Sequence, residues 1–237
     1  MKCYYCNGPA DDAEEHIPPK SLYKGSNQWL NKIAMGSFIL TVSSCVRHNS
    51  DTSTDDDLFV YLVADLACSN NFAANVITYQ INQLSTMFKG NFIIFKQRMM
   101  LLNCTLVYGE NRIFDTKNVT KEDKLALMRR EAIKIYKGIY YHLLKAVYEE
   151  VNDQLTDEWF FLAESGELER MQQMIEGSLI RISPTKLIVS GDPGVFTANY
   201  YNDGSLKFVL YDQIACLIRP KKSSNNPRHV TTTSRSH

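Results

Sequence analysis

The sequence has no excess of charge of either sign: 26 Lys and Arg stand against 26 Asp and Glu, for a formal net charge of zero over 237 residues. Proteins that coat nucleic acid without sequence preference take most of their affinity from surplus cations. A balanced charge is unusual for such a protein, so any contact with nucleic acid is expected from a local patch, a bound metal ion or a partner. Long apolar runs are also lacking. The stretch Phe92 to Phe95 is far too short to cross a bilayer. No secretory leader is visible, since Met1-Lys2 runs straight into Cys3 without an apolar segment. The expected address is the cytoplasm, with no membrane partner. No internal repeat is present. What the chain does have is 44% hydrophobic residues and 11% aromatics, enough to bury a core.

The six cysteines, in a reducing compartment, are expected as metal ligands or buried thiols rather than disulfides. Cys68, Cys104 and Cys216 lie among Ala, Leu and Ile and read as small core residues. Cys3, Cys6 and Cys45 lie in a different context. Cys3-x-x-Cys6 and Cys45-x-x-His48 are two pairs with the same two-residue spacing. Each pair sets two ligands on one tight turn, and two such turns close a tetrahedral zinc site. Zinc would then replace the core that so short a segment cannot build. Between the pairs lies Glu15-His16-Ile17-Pro18-Pro19. Two successive prolines block a helix, so His16 is expected on an extended segment.

Periodicity divides the rest. Phe38 to Val42 reads as a strand leading into Cys45. Asp55-Asp56-Asp57 opens an apolar-periodic stretch through Leu58, Tyr61, Leu62 and Leu66, which predicts a helix from near Thr54. A further helix is expected from Ala73 to Met87, with another reaching toward Leu102. Thr120 can cap a helix with Asp123 three residues on. Leu125, Met128, Ala132, Ile135, Ile139, Leu143 and Val147 then recur at helical spacing. Thr185 to Ser190, Gly194 to Tyr201, Leu206 to Tyr211 and Ile214 to Ile218 read as strands, with Asn202-Asp203-Gly204 as a hairpin turn. Trp159, Phe160 and Phe161 are expected to be buried. The expected class is α+β: an N-terminal module over residues 1–66, a mixed helical and β accessory domain over 67–220, and a disordered tail over 221–237.

The ordered set Cys-x-x-Cys, Glu-His-Ile-Pro-Pro-Lys-Ser-Leu and Val-Ser-Ser-Cys-Val-Arg-His-Asn resembles the HNH endonuclease family, over residues 3 to 57. The resemblance implies a ββα-metal fold stapled by zinc at Cys3, Cys6, Cys45 and His48. It implies that His16 is the general base and that Glu15 and Asn49 hold a catalytic Mg²⁺ or Mn²⁺. The family's middle asparagine has no clear counterpart. Asn27 and Asn31 are candidates, and Ser37 and Phe38 stand where it is expected. Asp55 to Asp57 read either as a further carboxylate near the site or as an acidic helix start. Residues Arg129 to Tyr141 resemble a helix that follows the nuclease module in a group of bacterial HNH proteins, some of them associated with phage defence.

The implied activity is hydrolysis of DNA phosphodiester bonds. Candidate nucleic-acid contacts are Lys20 and Arg47 in the module and Arg130, Lys134 and Lys137 on the long helix. The helical three could equally be an ordinary solvated face. A homodimer and a defence-system partner such as an ATPase are the further expected associations. Two alternatives stay open: a ribonuclease with the same residues, and a zinc-ribbon-like interaction module with no nuclease activity.

Overall fold

A computed structural model describes residues 1–11, 13–23, 40–49, 53–67, 70–71, 73–76, 121–148, 154–161, 188–190 and 194–221. It is mixed helix and strand, with antiparallel sheets. The N-terminal region holds β1 (Ala13–Ile17), a 3-10 turn (Lys20–Tyr23), β2 (Leu40–Ser44), α1 (Val46–Asn49) and α2 (Ser53–Leu66). α3 (Lys121–Leu144) follows, and then β3 (Gln154–Phe161), β4 (Ile188–Ser190), β5 (Phe196–Tyr200), β6 (Leu206–Leu210) and β7 (Ile214–Lys221). β1 and β2 form an antiparallel ribbon with His16 opposite Thr41. The other five strands form one antiparallel sheet in the order β3-β7-β6-β5-β4.

The hairpin of β5 and β6 turns where expected. Gly204 takes the left-handed φ of 85° that a side chain rarely adopts, and Tyr201 N–H donates to Ser205 O at 2.8 Å. The next turn needs two left-handed residues, Tyr211 (φ 51°) and Asp212 (φ 56°). Tyr211 is an unusual occupant. Its fully buried side chain donates to Leu22 O at 2.9 Å and ties the sheet to the 3-10 turn.

α3 packs between ribbon and sheet, touching β1, β2, β3 and β7. One cluster of buried side chains runs continuously from Cys3 and Ile17 through Ile135 and Ile139 to Phe208 and Ile218, so the core crosses residue 66 without a break. The closest approach is at Gly138. A Cβ there would overlap Ile17 Cγ1 and lie 2.9 Å from its Cδ1. The missing side chain is what lets the ribbon sit on the helix.

Several expectations shift by a few residues. α3 ends at Leu144, where Lys145 turns with φ 52°, so Val147 lies past it. Leu125 is 46% exposed rather than in the core. β3 was not evident in the sequence; Phe160 on it is buried as expected, and Trp159 packs partly buried against the core. β7 runs on to Lys221, the first residue of the expected tail. Cys216 is a fully buried thiol. Cys68, Cys104, Asn27, Asn31, Ser37, Phe38, most of the predicted helices between 73 and 102, and the tail from 222 lie outside the described residues.

Candidate metal centre and the face beside it

Residues 1–10 fold as a tight knuckle. Cys3 N–H donates to Gly8 O at 2.9 Å, Asn7 N–H donates to Cys3 O at 3.0 Å, and Asn7 takes φ 63°, a conformation Asn tolerates. Tyr4 N–H donates to Ser43 O at 2.9 Å, laying the knuckle against β2. Ser44 ends β2, Cys45 stands just before α1 and His48 lies within it, with His48 N–H donating to Cys45 O at 2.9 Å. The Asp11 carboxylate caps that turn by accepting from Val46 N–H at 2.8 Å.

These two turns bring four ligand atoms together. The Sγ atoms of Cys3, Cys6 and Cys45 and a ring nitrogen of His48 all lie within 4.8 Å of one another. Cys6 Sγ is 4.0 Å from Cys45 Sγ, and His48 Nδ1 is 3.8 Å from Cys3 Sγ and 3.1 Å from Cys45 Sγ. Tetrahedral zinc with bonds of about 2.3 Å to sulfur and about 2.0 Å to nitrogen has edges of roughly 3.5–3.8 Å, close to these separations. The environment shifts two of the thiols in opposite directions. Burial pushes the Cys3 thiol up, but N–H groups of the backbone around it outweigh burial and hold it below the ordinary thiol range. Burial and the adjacent Cys3 and Cys6 sulfurs raise Cys45. Three thiols so close call for a cation, and the group can hold a metal ion as structural zinc does.

β1 presents the remaining motif residues. Alternation sends Glu15 and Ile17 inward and Glu14 and His16 to the other face. Burial follows that rule: Glu15 is 4% exposed, Ile17 is fully buried, Glu14 is exposed and His16 is half-buried. Burial, with help from the Lys20 charge, lowers the His16 imidazole to about 4, so the ring is neutral near pH 7. Glu15 meets the interior instead. Its Oε1 is 3.3 Å from Lys134 Nζ, which also lies 2.5 Å from Asp56 Oδ1. Burial raises the Glu15 carboxyl to about 7 despite the lysine. Burial, reinforced by Asp56, likewise holds fully enclosed Glu131 well above the carboxylate range.

Two of the expected site features meet a setting the sequence did not show. Strand alternation turns Glu15 away from His16, and its carboxylate lies against Lys134. Asn49 itself is half-exposed at the end of α1. The basic stripe on α3 is not a solvated face. Lys134 and Lys137 are 3% and 6% exposed, and only Arg130 of the three reaches solvent, bonded to Asp55 at 3.0 Å. Asp55 and Asp56 thus anchor α2 to α3. Lys20 and Arg47 are exposed as surface contacts require. Tyr136 and Tyr148 are buried, as core residues.

Compared with protein-family models, curated proteins and solved structures, the chain matches none. Among the described residues, no helix is long and apolar enough to cross a membrane.

Proposed function

We propose that the chain is a zinc-stapled endonuclease of the HNH type that hydrolyses phosphodiester bonds in DNA. The observation that supports this most is the placing of His16: a neutral, half-buried imidazole on the outward face of β1, with β2 leading directly into the second half of the four-ligand cluster. A neutral imidazole can take a proton from water attacking phosphorus. The cluster does no chemistry in this reading; zinc there fixes the ribbon that aims the ring. Lys20 and Arg47 receive backbone phosphates. A Mg²⁺ or Mn²⁺ held by Glu15 and Asn49 would supply charge at the phosphate, in competition with Lys134 for the Glu15 carboxylate. A role in phage defence, a homodimer and an ATPase partner belong to the same proposal and rest on the resemblance alone.

A second reading has its own support. Glu15 buried against Lys134 suits a zinc-ribbon-like interaction module without nuclease activity. Supercoiled plasmid and single-stranded RNA incubated with the zinc-loaded protein, with Mg²⁺ or Mn²⁺ and then with chelator, separate the readings. Chelator-sensitive nicked or linear DNA supports the first. Cleavage of RNA alone would make the enzyme a ribonuclease, and intact substrates in every condition support the interaction module.

A further inference from the structure

Both residues between Cys3 and Cys6 are aromatic, and the second, Tyr5, is placed by the rest of the fold. The Tyr5 ring stacks on the His48 imidazole with centroids 4.5 Å apart and planes 21° from parallel. Tyr4, fully buried, holds Tyr5 edge-on at 5.9 Å and 87°. Lys137 extends from α3 and sets its Nζ 4.2 Å from the Tyr5 ring centroid. Lys137 is 6% exposed, so this cation–π contact is largely desolvated, which strengthens it.

The electrostatics of a loaded cluster explain the arrangement. Three thiolates outweigh a divalent ion, so the centre keeps residual negative charge, while the ligating imidazole is drained of electron density. An electron-rich phenol face suits the drained imidazole. A nearby ammonium complements the thiolates. Ligating histidines need outer partners to fix their orientation, and here stacking supplies one contact of that kind.

We propose that Tyr5 is a positioning residue for the metal ligand His48 and that Lys137 clamps it, so that metal retention depends on α3. The proposal rests on Cys3, Cys6, Cys45 and His48 holding zinc. The test therefore first measures one zinc per full-length parent chain. The rate of zinc transfer to a chromogenic chelator is then compared across Y5L, Y5F, K137M and K137R, and the cobalt-loaded proteins are compared by absorption. Loss of an outer-shell partner of a metal ligand costs on the order of 10–100-fold in affinity. Y5L is expected to release zinc at least about tenfold faster than the parent. Y5F, which keeps the stacked ring, is expected to stay near the parent. K137M is expected to accelerate release and K137R, which keeps a cation over the ring, to restore it. The sulfur-to-cobalt and ligand-field bands should shift in Y5L and not in Y5F, which a merely structural role would not produce. K137M and K137R carry the same test should Y5L fail to fold, because they leave the knuckle sequence intact. Parent-like release from Y5L or from K137M overturns the proposal. So does Y5F releasing zinc as fast as Y5L. A parent that binds no zinc overturns the underlying reading instead.

Discussion

Replacing Gly138 with Ala should destabilise the protein, although glycine inside a helix is ordinarily the weaker residue. Two opposing terms set the size. In the interior of α3, Ala gains about 1 kcal/mol over Gly from helix propensity. Against that, the new methyl would overlap Ile17 Cγ1, lie 2.9 Å from Cδ1 and lie 3.2 Å from Cγ2. Overpacking of this kind costs about 1–3 kcal/mol. Ile17 cannot easily yield. It is β-branched and stiff at χ1, fully buried, and its strand is tied to the same helix through Glu15 and Lys134. The upper part of the range applies, for a net loss of about 1–2 kcal/mol. Urea unfolding with saturating zinc measures it, since free zinc must be fixed when stabilities are compared. I17A removes Cγ1, Cγ2 and Cδ1 together, at its own cost of about 2–5 kcal/mol. In I17A/G138A the two changes should compensate, with a coupling of at least about 0.5 kcal/mol. A G138A protein as stable as the parent, or strictly additive effects, would refute the view that this glycine exists to admit β1.

Four further changes read other parts of the structure. C45S should abolish stoichiometric zinc and loosen the N-terminal ribbon, giving an earlier thermal transition by circular dichroism; a parent-like melt with one bound zinc contradicts it. Glu15 ionises near 7 when folded and near 4.5 when unfolded, so the folded state holds the extra proton between those values. Stability is therefore present at acid pH and falls as pH rises from about 4.5 to 7, by about 3 kcal/mol in all. E15Q should lack that fall, so its advantage over the parent in urea melts should grow between pH 5 and pH 8, and a constant difference would contradict the burial account. K20Q and R47Q should each weaken DNA binding and reduce the salt dependence, log affinity against log salt, by about one unit. Unchanged salt slopes would remove these residues from the interface.

Local geometry was legible in the sequence where neighbours along the chain decide it. The two-residue spacing of Cys3 with Cys6 and Cys45 with His48 forces tight turns, and Asn202-Asp203-Gly204 forces a reversal. Long-range partners were not legible. Lys134 and Lys137 are three residues apart on one helix and read as a charged stripe. What buries them comes from elsewhere: Asp56 on α2, Glu15 on β1 and Tyr5 in the knuckle. A helix pattern identifies faces but not how many elements cover them, and α3 is covered by both ribbon and sheet. The alternation of β1 could have shown that Glu15 and His16 point apart, since Ile17 marks the inward face. β3 was not legible in the sequence because Thr156, Asp157 and Glu158 interrupt its apolar character. Asp157 is half-buried there because Arg129 donates to it at 2.5 Å, again a partner far along the chain. Tyr5 had a faint signal, an aromatic between two candidate ligands, but nothing local named His48 as the ring it meets.

The most direct test of the account is plasmid cleavage by H16A protein that has been shown to carry one zinc per chain and to melt like the parent. The account predicts that the zinc-loaded parent nicks or cuts the plasmid when Mg²⁺ or Mn²⁺ is supplied and that H16A leaves it supercoiled. Equal cleavage by the two proteins, or none by the parent, would contradict it.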